Sequence, residues 1–164
     1  MLLFMILTTH VLTSTVLNRY IARSNPFLAF FWGWLSHYLA DSLPHVDYNL
    51  NSLSDKGAVK VARRKKISDY ARVGLDALIG SLISYWLIWP ENWYQVFYWM
   101  AVVAGGVIPD FLHYVNDILE IKIPVFLTKF HEGVHTKIKL RHTHPYWGGL
   151  AQLAICFVAI YFSR

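Results

Sequence analysis

The sequence predicts an all-α integral membrane protein, a single domain over residues 1–164 built as a bundle of four to five transmembrane helices. Three observations predict it. Apolar residues make up 55% of the chain and charged residues only 15%, and mean hydropathy is +0.35, well away from the soluble average. The apolar residues gather in runs close to the length that crosses a hydrocarbon core. The Lys and Arg residues gather between those runs rather than within them.

The first run, residues 1–21, could pass for a secretory signal. It has neither a basic start nor a small-x-small cleavage site, so it reads as a retained helix. The second covers about 26–43 and is closed by Pro44, which disfavours helix beyond it. The third and fourth, about 73–89 and 93–115, flank a turn around Trp86, Trp89 and Trp93 whose rings suit a membrane–water interface. The fifth, 146–162, is near the lower length limit and is either a short span or a re-entrant helix. No internal repeat or Gly/Ser linker divides the chain.

The basic residues orient these runs. Lys56, Lys60, Arg63, Arg64, Lys65, Lys66 and Arg72 crowd a loop at about 45–72, and Lys122, Lys129, Lys137, Lys139 and Arg141 a second at about 116–145. The Trp-rich turn has neither Lys nor Arg. The positive-inside rule therefore puts both basic loops in the cytoplasm and the turn outside, with Arg19 and Arg23 outnumbered. The formal charge of +5 is thus read as topogenic, in contact with anionic membrane lipid, and nucleic-acid binding is the minor alternative.

This orientation gathers chemistry from distant parts of the chain. His37, Asp41, His45 and Asp47 lie toward the inner end of the second run, Asp76 near the inner start of the third, and Asp110 and His113 near the inner end of the fourth. His131, Glu132, His135, His142 and His144 fall in the second cytoplasmic loop. Only His10 sits nearer the middle of its span. Ionisable groups at or in lipid are costly, so their gathering at one level is a functional-site expectation. The lone cysteine, Cys156, excludes an internal disulfide or a Cys-based zinc site. Any metal here is bound by His and carboxylate.

His37-x3-Asp41-x3-His45 offers two imidazoles and a carboxylate to one divalent ion such as zinc. The alternative is that Asp41 and His45 only cap a helix end. Asp47 is a further ligand or orients a ligating His. Pro109 breaks the backbone so that Asp110 can turn inward, next to the small pair Gly105-Gly106; a kinked helix with an interfacial Asp is the plain alternative. His131-x3-His135 has the i, i+4 spacing of a metal-binding turn, although it is one residue longer than His-Glu-x-x-His, so Glu132 is not automatically a base. Asp76 needs a metal, a ligating His or Arg72 as partner. His10 is the weakest candidate, since a lone His among apolar residues is more often hydrogen-bonded core.

The segment His37-Tyr38-Leu39-Ala40-Asp41 with Pro44-His45 resembles the His-Tyr-Leu-Gly-Asp…Gln-Pro-x-His pattern of zinc-dependent phospholipase C and the fungal single-strand nucleases. More broadly, Thr9-His10, Pro109-Asp110 and the His131/His135 pair make the chain similar to small prokaryotic inner-membrane metal-dependent hydrolases. The resemblance implies an all-helical metal site facing the cytoplasm and hydrolysis of phosphoesters, with an anionic phospholipid as a candidate substrate. The reading adopted takes His37, Asp41, His45 and Asp110 as central ligands, completed by His131 and His135, with Asp76 or Glu132 available as general base or orienter. The soluble enzymes have a longer Asp–His spacing, an N-terminal Trp ligand and a late His-x3-Glu, so one or two ions are expected here rather than three. The competing expectation is a structural or sensing metal without turnover. Transport is disfavoured, because only His10 carries polar chemistry further into the membrane.

Overall fold

The computed structural model describes residues 6–22, 25–43, 45, 63–118, 124–134 and 145–162, together with the backbone alone at 63–67, 113–118 and 145–146. These residues form six helices and no strand: α1 (Ile6–Ile21), α2 (Pro26–Asp41), α3 (Arg63–Ile88), α4 (Trp93–Ile118), α5 (Val125–Val134) and α6 (Pro145–Phe162). The all-α class is as expected. Two helices are long and apolar enough to cross a membrane, over Ser68–Ile88 in α3 and Trp93–Leu112 in α4. Only 17% and 28% of those stretches are buried within the molecule, unlike the core helix of a soluble domain. The other expected spans are shorter: α1 and α2 have 16 residues each, about 24 Å of helix against a hydrocarbon core of about 30 Å.

Local chemistry sets the helix ends. Asn25 caps α2, its side chain accepting the N–H groups of Phe27 and Leu28 at 3.0 and 3.2 Å, and Pro26 takes the first turn, where no N–H is needed. Asn92 caps α4 through Gln95 N–H at 3.0 Å, while Gln95 reaches back to accept from Glu91 N–H at 2.6 Å, a reciprocal cap. Between α3 and α4, Trp89 turns the chain at φ 48 and Pro90 follows.

The centre of the bundle is α1, packed against α2, α3, α4 and α6. It joins each of them through a polar side chain. Asn18 Nδ2 donates to the Ala29 carbonyl of α2 (3.0 Å), and Ser14 to the Val102 carbonyl of α4 (2.7 Å). Thr15 and Ser84 of α3 share a hydrogen bond of 2.8 Å, and Thr9 lies 3.5 Å from the Cys156 sulfur of α6. A helix so rich in hydroxyls is held in a bundle by such bonds as much as by apolar packing. Small apolar clusters fill the remainder, one around Ala29, Tyr98 and Val102, another around Leu12, Cys156 and Ala159.

The same contacts fix direction. Asn18 with Ala29 and His10 with Asp41 make α1 antiparallel to α2. Thr8 with Asp76 and Thr15 with Ser84 make α1 parallel to α3. Thr9 with Cys156 and Tyr20 with Phe162 make α6 parallel to α1. Ser14 with Val102 and His10 with Gly106 make α4 antiparallel to α1. The starts of α1, α3 and α6 therefore lie at the end of the bundle where α2 and α4 finish. Glycine permits the closest approach: a Cβ on Gly105 of α4 would stand 2.5 Å from the Phe30 carbonyl oxygen of α2, and one on Gly106 would stand 3.1 Å from the His10 carbonyl of α1.

A candidate metal centre

Four helices bring five donors together at that end. His37 and Asp41 share a face of α2 at i, i+4. Asp110 follows Pro109 on α4, His10 comes from the second turn of α1, and His131 is the buried residue of the short α5. His10 Nε2 is 3.3 Å from Asp41 Oδ1, and His37 Nε2 is 3.1 Å from Asp41 Oδ2. Asp110 Oδ1 lies 3.6 Å from His37 Nε2 and 3.5 Å from His131 Nε2. The rings of His10 and His37 stack at 4.1 Å, and His131 stands 5.5 Å from His37. His37 and Asp41 are no more than 1% exposed, whereas the Asp110 side chain is 14% exposed and marks the open side.

The tautomer of His37 follows from its other nitrogen. Nδ1 is 2.9 Å from the Gly106 carbonyl oxygen, which can only accept, so Nδ1 carries the hydrogen. Pro109 supplies no N–H to the carbonyl of Gly105 one turn back, which loosens α4 beside this contact. In the neutral ring Nε2 then presents a lone pair to two carboxylates. Positive charge is required there, as a proton on Nε2 or a cation among the donors.

The spacing is compatible with a cation. A charge-assisted N–H···O bond is about 2.7–2.9 Å, and all four N···O separations exceed that. Donors about 2.0–2.1 Å from a tetrahedral ion stand about 3.3–3.4 Å from one another, which lies within the observed 3.1–3.6 Å. Two overlapping sets of ligand atoms, His10/His37/Asp110 and His37/Asp41/His131, each lie within 4.8 Å of one another. Charge agrees as well: a divalent ion balances Asp41 and Asp110 and leaves three neutral imidazoles as ligands. The His37 hydrogen bond to Gly106 is the kind of outer contact that orients a metal-binding His.

Other expected residues are placed differently. Helix α2 ends at Asp41, so the i, i+4 spacing does not carry on to His45. Its Nδ1 lies 2.8 Å from the Leu43 carbonyl, and it belongs to neither donor set. Asp76 accepts from Leu7 N–H at 2.8 Å and from the Thr8 hydroxyl at 2.6 Å, tying α3 to the start of α1. Glu132 is exposed beside His131. Asp47, His135, His142 and His144 lie outside the described residues, as does the side chain of His113.

Two contributors went unread in the sequence. The Gly106 carbonyl orients His37, and only the small-residue pair ahead of Pro109 hints at it. Tyr38 sets its ring edge-on to His37 (5.6 Å), His131 (5.9 Å) and Phe130 (5.0 Å), walling the site toward α5. Trp34, one turn earlier on the same face of α2, packs against Tyr38 at 5.6 Å, and that i, i+4 aromatic pair was the available signal. No family model matches the chain, and no curated protein or solved structure matches it.

Proposed function

We propose that this chain is a membrane-embedded hydrolase of phosphoesters, such as phospholipid head groups, which holds one or two zinc-type divalent ions among His10, His37, Asp41, Asp110 and His131. The observation that carries the reading is His37, fixed by Gly106 with Nε2 turned toward the buried carboxylate of Asp41 and the partly exposed one of Asp110. Since His37 belongs to both donor sets, a single ion is the simpler occupant. The motif likeness to zinc-dependent phospholipase C and small inner-membrane hydrolases supplies the reaction class.

A bound ion would supply a water of near-neutral pKa and offset charge developing on phosphoryl oxygens. The protein's own groups do the rest. His37 and Asp41 hold the closed side, and the more exposed Asp110 and His131 form the side that substrate approaches. Glu132, exposed beside His131, is available as general base or orienter, and Asp76 fixes the start of α1 and thereby His10. The fold is read as four to five spans. Exposed apolar side chains all along α3 and α4, Leu75, Leu78, Leu82, Trp86, Phe97 and Met100 among them, support lipid around the bundle. The basic loops support a site facing the cytoplasm, in a membrane read as a prokaryotic inner membrane.

A second reading rests on the number of donors. Catalytic zinc commonly keeps three protein ligands and an open position, and five donors around one ion suit a structural or sensing metal. The two readings part on turnover. Purified protein stripped by chelator is assayed on phosphodiesters of lipid and nucleotide type, before and after zinc is restored. Zinc-dependent hydrolysis supports the hydrolase. Retained zinc with no turnover on any of these substrates favours the structural or sensing metal.

A further inference from the structure

A groove of about 230 Å³ lies between α2, α4 and α5. Trp34 and Tyr38 line it from α2, Ile108 and Leu112 from α4, and Leu127 and Thr128 from α5, together with His131 of the metal-binding cluster. The lining is thus mostly apolar apart from Thr128 and His131, and His131 Nε2 is 3.5 Å from the Asp110 carboxylate. Its outer neighbours are apolar too. Phe30 is 36% exposed, and Phe126 and Phe130 of α5 are 69% and 53% exposed, so the opening continues the surface that faces lipid in the reading above.

We infer that this groove takes one aliphatic chain of a phosphorylated membrane amphiphile, entering sideways from the bilayer, with its anionic head group against the metal centre. The inference rests on the hydrolase reading of that centre. Two complementarities select the occupant. The walls carry aromatic and aliphatic surface that matches a methylene chain. His131 of the donor cluster is part of the groove lining, and a divalent ion held among the donors would offer a coordination position to an anionic phosphate head there. A peptide would bring backbone N–H and C=O groups that these walls leave unsatisfied, and a chainless phosphate would leave the groove unfilled. A chain coming from lipid gains little from leaving water. Its contribution is orientation, and coordination of the head group sets the strength of binding.

The test uses full-length, zinc-loaded protein in detergent, with a monoalkyl phosphate brominated along its chain as a quencher of tryptophan fluorescence. Trp34 lies in the groove, so Trp34→Phe reports which ring is quenched, and its zinc content checks that the site survives. The expected result is saturable quenching in wild type, mostly absent in Trp34→Phe and competed by unbrominated alkyl phosphate. Removing zinc is expected to weaken binding at least tenfold. Equal or non-saturable quenching in both proteins would show general partitioning and overturn the groove. Saturable quenching through Trp34 that is indifferent to zinc would leave the chain site standing and overturn its link to the metal, and with it the reading of the centre. Zinc-dependent turnover of a chainless phosphodiester, together with no quenching through Trp34, would overturn the groove alone.

Discussion

Asp41 joins two of the imidazoles, one oxygen facing His10 and the other His37, while Asp110 faces His37 and His131 through a single oxygen. Two histidines show how far spacing alone can be read. His45 continues the i, i+4 numbering, but Pro44 already disfavours helix before it, and α2 ends at Asp41. His10 looks like core on paper, because its partner lies across a helix–helix contact that no spacing within α1 reveals. His10→Ala is therefore expected to weaken zinc binding about ten- to a hundredfold, the range found when groups that support a metal site are removed. His45→Ala is expected to bind zinc as wild type does. Competition against a chromophoric chelator measures both, and the reverse order would overturn the donor set.

Helix α1 shows what one element can hide. Its Thr, Ser and Asn residues are visible in the sequence as polar groups inside an apolar run, and their need for partners is predictable. Which helix supplies each partner is not, since that depends on packing order and direction. The same limit applies to α2 and α4, where Gly105 announces a close approach without naming Phe30 as the neighbour. A Cβ at Gly105 would press on backbone, so Gly105→Ala is expected to destabilise the protein by about 1–3 kcal/mol through overpacking. Because α2 and α4 carry His37 and Asp110, it should also weaken zinc binding although Gly105 is not a ligand. Gly149→Ala in α6, where a Cβ meets open space, is the matched control and should leave both properties unchanged. Thermal unfolding and zinc titration of the pair check this, and equal behaviour of the two would contradict the packing account.

For the molecule as a whole, the all-helical class was legible because length and apolar runs depend on composition alone. The number of spans was less so. Among the described residues, two helices meet the length and apolarity of a span, and the described parts of α1 and α2 have 16 residues each. The gathering of donors at one end was legible in outline from charge asymmetry, since alternating helix directions bring the end of α2, the end of α4 and the start of α1 together. That placement predicts a topology: a reporter fused at Lys65 should read as cytoplasmic and one at Asn92 as external. An external Lys65 would remove the cytoplasmic assignment while leaving the donor geometry untouched.

The central claim is that His37 and Asp41, with their neighbours, bind a divalent ion, and metal analysis of the purified protein tests it most directly. Asp41→Asn keeps the shape of the side chain and removes its charge, and His37→Ala removes the ring that belongs to both donor sets. Wild type is expected to carry zinc or a similar ion at one or two per chain, and both variants are expected to lose it while remaining folded by circular dichroism. Equal metal content in all three proteins would contradict the account.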